Sequence, residues 1–440
     1  MRVAVVGAGP AGIYATEALL ERGDVRVDIY DALPTPFGLV RYGVAPDHLK
    51  IKSIERTLRN ILEHPAARFV GNVRVGSDIS TETLRASYDA VVYAFGAAAD
   101  RKLGIPGEEL PGSVSATDFV AWYSGHPDSA LRELTLHARS VVVVGVGNVA
   151  VDVTRMLAKT DGDLESTDIP RPVLDTLRRS AVTDIHVVGR RSAAHAKFTT
   201  KELRELGEIA NADVVVDPDE LAIGQEWVEP TPAVRRNLDV LAEWSQRPTQ
   251  GRPRRIHFRF MLRPTALIGT GQVEAVVLER TRFDAAGRLE SAGTRETLET
   301  QLVLRSAGYR GVPIAGLPFD SSTGTIPNDA GRVLRDGALS PGEYVAGWVK
   351  RGPTGVIGTN RSDAAETVRS MAADWETTRP SERVDDQDPV DQLIAAGVPV
   401  VRWDGWLAIE AAEQELGAQH GQARIKLTDR ADLLAAAGRG

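Results

Sequence analysis

The sequence predicts an α/β fold with two Rossmann-like dinucleotide-binding domains. Two observations carry this. An apolar run, a glycine-punctuated turn and the start of a helix occur together twice, in MRVAVVGAGPAGIYA at residues 1–15 and in VVVVGVGNVAVDV at 141–153. Further short apolar runs ending in small residues alternate with helix-like stretches, the pattern of a parallel sheet. One such unit holds one dinucleotide, so two units predict two.

The element order follows from the runs. Met1 to about Asp31 reads strand, turn, helix, strand, and Tyr88–Gly96 is a short apolar run ending in small residues. Turn-rich Leu103–Glu108 and Leu110–Gly112 suit a domain crossing. The second strand–turn–helix covers Ser140 to about Leu157, and Ile185–Gly189 reads as the next buried strand. Ile256–Leu262 and Val273–Leu278 are strand-like, and Leu302–Gly308 is another strand with a small-residue end. Glu343–Gly347 leads into a glycine-rich loop and a helix from about Ser362. Pro- and acid-rich Thr377–Asp391 reads as a solvated linker, and Trp406–Leu416 as a helix.

Composition narrows the function. The 440 residues, 42% hydrophobic and 25% charged, suit a globular protein. No apolar run approaches the ~20 residues a membrane helix needs. The first strand starts at Arg2, leaving no room ahead of it for a signal peptide, so a cytoplasmic location is expected. With no cysteine, disulfides, thiolate nucleophiles and cysteine-ligated clusters are excluded, and a bound cofactor must carry any electrons. A net charge of −8 argues against generic nucleic-acid binding. Only 8 of the 52 basic residues are Lys, so every Arg cluster stands against a general Arg excess.

In the first fingerprint Gly7 permits the tight turn, Gly9 lets backbone approach a pyrophosphate, and Gly12 lets helix and strand pack closely; Ala11 lies in the same turn. The helix start adds N–H donors and positive dipole for phosphates. Asp31, at the end of the second strand, is placed to accept both hydroxyls of an adenosine ribose. The second fingerprint is Gly145-Val-Gly147-Asn148-Val149-Ala150, with Ala150 in the third glycine's place. Here the next strand ends not in an acid but in Arg190-Arg191, two guanidinium groups suited to a ribose 2′-phosphate. The unusually long spacing implies an insertion at Thr160–Ser180 within the crossover. An acid for a free ribose diol and arginines for a phosphorylated one point most simply to FAD and NADPH.

These residues carry a resemblance. GAGPAGIYA (7–15), PTPFGLVRYGVAPDHLKIK (34–52), GNVRVG (71–76) and DRKLGIPGE (100–108) resemble the adrenodoxin-reductase type of NADPH–ferredoxin reductase. So do VGVGNVAVDV (144–153), VVGRRSAAHAKFTTKELREL (187–206) and AGWVKRGPTGVIGTNRSDAAETV (346–368). The resemblance implies an FAD domain of 1–105 and 314–440, with an NADP domain of 106–313 inserted in it. It also implies that Asp31 binds the adenosine ribose of FAD, Leu39 lies near the isoalloxazine end, and Val75 uses its backbone at the adenine. Trp348 would touch the flavin, where related two-dinucleotide flavoproteins usually carry Asp. Gly355, Val356 and Ile357 would direct N–H groups at its pyrimidine end. For NADP the resemblance implies pyrophosphate capping by Asn148, Val149 and Ala150, the 2′-phosphate on Arg190 and Arg191, and contacts from Arg101 and Glu202. His48 and Glu205 become candidates for tuning flavin potential or proton uptake. The plain alternatives are a surface histidine and solvated glutamates on a helix face.

The expected reaction is hydride transfer from NADPH to FAD, then single electrons to a ferredoxin. The cofactors carry that chemistry, and the protein supplies positioning. The missing cysteines exclude a disulfide reductase. An acidic ferredoxin calls for a basic face. Eight Arg between Glu229 and Arg263 (235, 236, 247, 252, 254, 255, 259, 263) offer one, with Arg178 and Arg179 adding to it. Other readings are an NADPH-dependent reductase of quinones or other small acceptors, a non-enzymatic FAD/NADPH redox sensor, and a structural Rossmann protein.

Overall fold

The computed structural model describes residues 1–131, 134–224, 227–229, 231–377 and 387–438. They form two compact units, one of Met1–Ala99, Ser124–Asp128 and Tyr309–Gly440, the other of Asp100–Tyr123 and Ser129–Gly308. In chain order the first unit opens with β1 (Arg2–Val6), β2 (Arg26–Tyr30), β3 (Ala67–Val70) and β4 (Ala90–Tyr93). The second unit holds β5 (Ser113–Ser115), β6 (Ser140–Val144), β7 (Asp184–Val188), β8 (Ala212–Val216) and β9 (Arg254–Arg259). It continues with β10 (Leu262–Ile268), β11 (Ala275–Phe283), β12 (Leu289–Glu299) and β13 (Leu302–Arg305). The first unit resumes with β14 (Asn328–Asp329), β15 (Arg332–Arg335) and β16 (Ala338–Val345).

The first unit's sheet runs β14-β15-β16-β4-β1-β2-β3. Its strands from β16 to β3 are parallel, while β14 and β15 pair antiparallel at one edge. β1 is apolar from Val3 to Val6 because both faces are covered there. Val3 and Val5 enter one core with Ile13 and Ile29, and Ala4 and Val6 enter another with Tyr30 and Tyr93. The second unit's main sheet, β5-β13-β6-β7-β9-β8, is parallel, with a separate antiparallel β10-β11-β12. In both sheets the fingerprint strand lies between the strand that succeeds it through a helical crossover and a later strand. That is a topological switch point, where α/β sheets bind ligands beyond the strand ends.

Several details depart from the sequence reading. The run Ile256–Leu262 is split at Met261, whose φ of +55° turns the chain from β9 into β10 of another sheet. Residues 103–112 lie wholly within the second unit, where the buried Glu108 carboxylate accepts N–H bonds from Leu103 and Gly104, both at 2.7 Å. The crossover insertion contains a helix, Arg171–Arg178. Most of Thr377–Asp391 lies outside the described residues, but its end is no solvated linker. Asp388 pairs with Arg2 and Arg68, each at 2.7 Å, and caps the helix Pro389–Ala395. Among the described residues no helix is long and apolar enough to cross a membrane.

Candidate functional site

The first cradle begins where β1 ends. Gly7 sits at φ +112°, and a Cβ there would lie 2.5 Å from the carbonyl oxygen of Ala94, just past β4. A Cβ on Gly12 would lie 1.9 Å from the Gly7 carbonyl oxygen, so only glycine lets the helix Pro10–Leu20 pack this close. Gly9 is different: a Cβ there would meet only Gly38 Cα, at 3.9 Å. Sterics inside the chain require Gly7 and Gly12, while the site of Gly9 faces the open side of the helix start. Ala11 is buried and abuts Gly347, whose added Cβ would lie 2.5 Å from that of Ala11.

Asp31 closes this cradle. Its carboxylate accepts the N–H of Ala8 at 2.7 Å and of Leu33 at 2.8 Å, tying the end of β2 to the glycine turn. Burial pushes the carboxyl up to about 6, against those two N–H bonds, which lower it. Val75 buries its side chain, while among the described residues neither its N–H nor its C=O has a hydrogen-bond partner; the next residue, Gly76, bonds to Ile79 instead. Leu39 opens a short helix, Leu39–Tyr42, and is 37% exposed.

Trp348 opens a short helix after Gly347, half-buried, with its ring 5.2 Å from that of Tyr309. Gly355, Val356 and Ile357 precede the 19-residue helix Thr359–Thr377. The Val356 N–H is held by Thr359 Oγ1 at 3.1 Å, while those of Gly355 and Ile357 have no acceptor among the described residues.

Sequence reasoning missed several supports of this unit. Phe37 takes φ +78°, rare for a bulky side chain, and donates its N–H to Ala8 in the glycine turn. Its ring meets that of buried Trp406 from the C-terminal segment, at 5.8 Å. Arg41, beside Leu39, forms a fully buried ion pair with Glu413. Arg430 bonds Ala32 O at 3.0 Å and Asn72 Oδ1 at 2.5 Å, next to Asp31 and to the Val75 segment. Phe37 belongs to the family-like stretch 34–52, but its backbone strain has no local signature. The tail residues offer no local signal at all.

The second cradle repeats the first. Gly145 sits at φ +136°, and a Cβ there would lie 2.4 Å from the Ser306 carbonyl oxygen, just past β13. Gly147 precedes the helix Asn148–Ala158, and a Cβ there would meet nothing within 4 Å. Ala150 is fully buried under the turn, the packing role of Gly12. Asn148 accepts the Thr199 N–H through Oδ1 at 2.8 Å, and Val149 is next to it in the first helical turn. Beyond β7, the backbone carbonyls of Arg190 and Arg191 are fixed by Thr281 and Met261, while both side chains are exposed. Neither guanidinium has a carboxylate partner among the described residues, unlike most Arg of this unit. Arg101 is also exposed, with its N–H on Gly308.

Three plain alternatives fail. Glu202 is no solvated residue: it is 8% exposed and lies 3.5 Å from buried Arg155, with Glu205 at 3.6 Å from the same guanidinium and half-buried. His48, in the first unit, is 9% exposed rather than a surface histidine. The basic stretch is also not what its tally suggests. Arg247, Arg255, Arg259 and Arg263 pair with Glu243, Asp184, Glu296 and Glu279. Arg252 bonds the carbonyls of Ile209 and Ala212, and Arg254 those of Leu157 and Lys159, where a helix ends. Only Arg235 and Arg236 of the eight stay exposed and uncommitted among the described residues. Arg178 pairs with Asp161 and Glu165.

Two mainly parallel sheets, each with a glycine cradle at its switch point, define a two-dinucleotide α/β oxidoreductase architecture. Residues 1–208 match the pyridine nucleotide-disulphide oxidoreductase model. NADPH-ferredoxin reductase FprA of Mycobacterium leprae is 44% identical, over 98% of this chain and 97% of its own. The mitochondrial NADPH:adrenodoxin oxidoreductase of Arabidopsis thaliana is 39% identical, over 99% and 95%. The structure of Mycobacterium tuberculosis FprA in complex with NADPH superimposes with a TM-score of 0.92 at 42% identity, covering 99% of both chains. The chain belongs to the NADPH–ferredoxin reductase family of adrenodoxin-reductase type.

Proposed function

We propose that the chain takes hydride from NADPH onto FAD and passes single electrons to a ferredoxin, a small iron–sulfur protein. One observation carries the assignment of ligands. Two cradles of matching geometry differ just past the strand that follows each of them, β2 and β7: one has Asp31, bound to the glycine turn, and the other has two uncommitted guanidinium groups. The relatives' names, and the NADPH complex of the M. tuberculosis enzyme, support the same pairing.

FAD fits the first unit, whose cradle leaves Gly9 open and whose Val75 and Gly355–Ile357 segments keep backbone groups uncommitted. When bound, FAD supplies the two-electron to one-electron conversion. Gly7, Gly9, Ala11 and Gly12 would cradle its pyrophosphate, Asp31 would accept from its ribose, and Val75 would offer N–H and C=O to the adenine. Leu39 and Trp348 would lie at the ring system, with the N–H groups of Gly355 and Ile357 favouring charge at its pyrimidine end while that of Val356 stays on Thr359. In the second unit Gly145, Gly147 and Asn148–Ala150 would take the NADPH pyrophosphate, and Arg190 with Arg191 its 2′-phosphate. Arg101 and Glu202 would make further contacts, and His48 and Glu205 would handle protons. The ferredoxin would dock through cations that include Arg235 and Arg236. A cytoplasmic location is part of the proposal.

Anaerobic mixing of the FAD-loaded protein with NADPH or NADH, followed by cytochrome c reduction with and without ferredoxin, tests this. Rapid bleaching by NADPH and ferredoxin-dependent turnover are expected. Equal bleaching by NADH would overturn the phosphate-site assignment, and ferredoxin-independent turnover would overturn the partner.

A further inference from the structure

We propose that Lys197 is a third cation of the second cradle and grips the pyrophosphate of NADPH, an inference resting on the reading of residues 145–191 as the NADPH site. The Lys197 N–H donates to the Val146 carbonyl at 2.7 Å, between the two glycines of the turn. Two residues on, the Thr199 N–H donates to Asn148 Oδ1 at 2.8 Å. Residues 197–199 are thereby fastened along the turn and the first helical residue. The Lys197 side chain is exposed and has no carboxylate partner among the described residues. The nearest acids downstream in sequence are committed elsewhere, Glu202 and Glu205 to Arg155.

A second observation places positive charge here. His195 is half-buried, held by Ser192 Oγ at 2.8 Å and stacked on Phe283. Burial first, and then Arg191 and Lys197, hold its imidazole below the usual histidine value. The pyrophosphate is the favoured target because the Lys197 backbone is anchored to the turn at the helix start. Arg190 and Arg191 sit farther along, beyond β7. An ammonium serves a phosphate as a point charge on a flexible stem and adds to the N–H donors of the helix start.

The test is calorimetric binding of NADP+ and NAD+ to the FAD-loaded protein, with KM for NADPH and NADH alongside. Both coenzymes carry the pyrophosphate, so Lys197→Ala should weaken both by a similar factor, about tenfold. Lys197→Arg should restore most of the affinity. The paired Arg190→Ala and Arg191→Ala variant should weaken only NADP+. Unchanged binding of both coenzymes by Lys197→Ala overturns the proposal. So does a loss confined to NADP+, which would put the ammonium at the 2′-phosphate. A paired arginine variant that keeps the parent's coenzyme preference would instead overturn the underlying site, whatever Lys197 does.

Discussion

At Asp31 burial and hydrogen bonding oppose each other, and burial wins: the carboxyl is pushed up to about 6. Ribose hydroxyls need the ionised form as acceptor. FAD affinity should therefore be full above pH 6 and fall by about tenfold per pH unit below it, as a bound cofactor holds the proton off. Fluorescence titration of the apoprotein with FAD between pH 4.5 and 8 checks this, and Asp31→Asn should abolish the dependence. At the other cradle, the Arg190→Ala and Arg191→Ala pair should raise the KM for NADPH by about ten- to a hundredfold, leave NADH unchanged, and barely alter stability. Steady-state kinetics with both coenzymes and a melting curve distinguish that from two merely solvated arginines. Asp31 was legible from its spacing, and Arg190-Arg191 from their place at the end of the next strand, although the crossover insertion lengthens the spacing there. That the guanidinium groups are uncommitted was not, because in a chain this rich in Arg a residue's partner is a matter of three-dimensional neighbours.

Between β7 and β9, His186 and His257 stack at 4.5 Å, and His257 is bound to Asp184. Burial, then the neighbouring His257, pushes His186 down to about 4. An unfolded histidine takes its proton near 6.5, so this contribution to stability is complete above that value and is lost as pH falls towards 4. The melting temperature should drop across that window, and His186→Phe should flatten the drop. In the first unit, Glu413→Gln strands the Arg41 charge in the core and should cost about 3–5 kcal/mol in denaturant unfolding. Replacing both partners with Arg41→Met and Glu413→Leu should recover much of it. Strand and helix types were readable where the two cradle-bearing sheets are parallel, because continuous apolar runs mark their strands. Boundaries failed where one residue turns the chain, as at Met261. The basic stretch around Arg235–Arg263 misled because a linear tally counts charges and ignores the carboxylates facing them.

At the scale of the whole molecule, the C-terminal segment belongs to the first unit. Val401 bridges Gly71, Trp406 is fully buried, and Asp388 joins Arg2 across 386 residues of sequence. Ending the chain at residue 377 should therefore leave a protein that does not retain FAD. Gel filtration with absorbance at flavin wavelengths tests it; a yellow truncated protein would show that the tail is dispensable. The sequence by itself determined the two cradles, the contrast between Asp31 and Arg190-Arg191, and the exclusion of thiol chemistry, since each depends on which residue types occur and on their place in a local strand–turn–helix pattern. Only the tertiary structure decided which charges are free, which glutamates are buried, and how the C-terminal segment supports the first unit. Those depend on contacts between separate segments, from Arg155 and Glu202, 47 residues apart, to Arg41 and Glu413, 372 residues apart, and the order of residues along a chain does not say which side chains will meet.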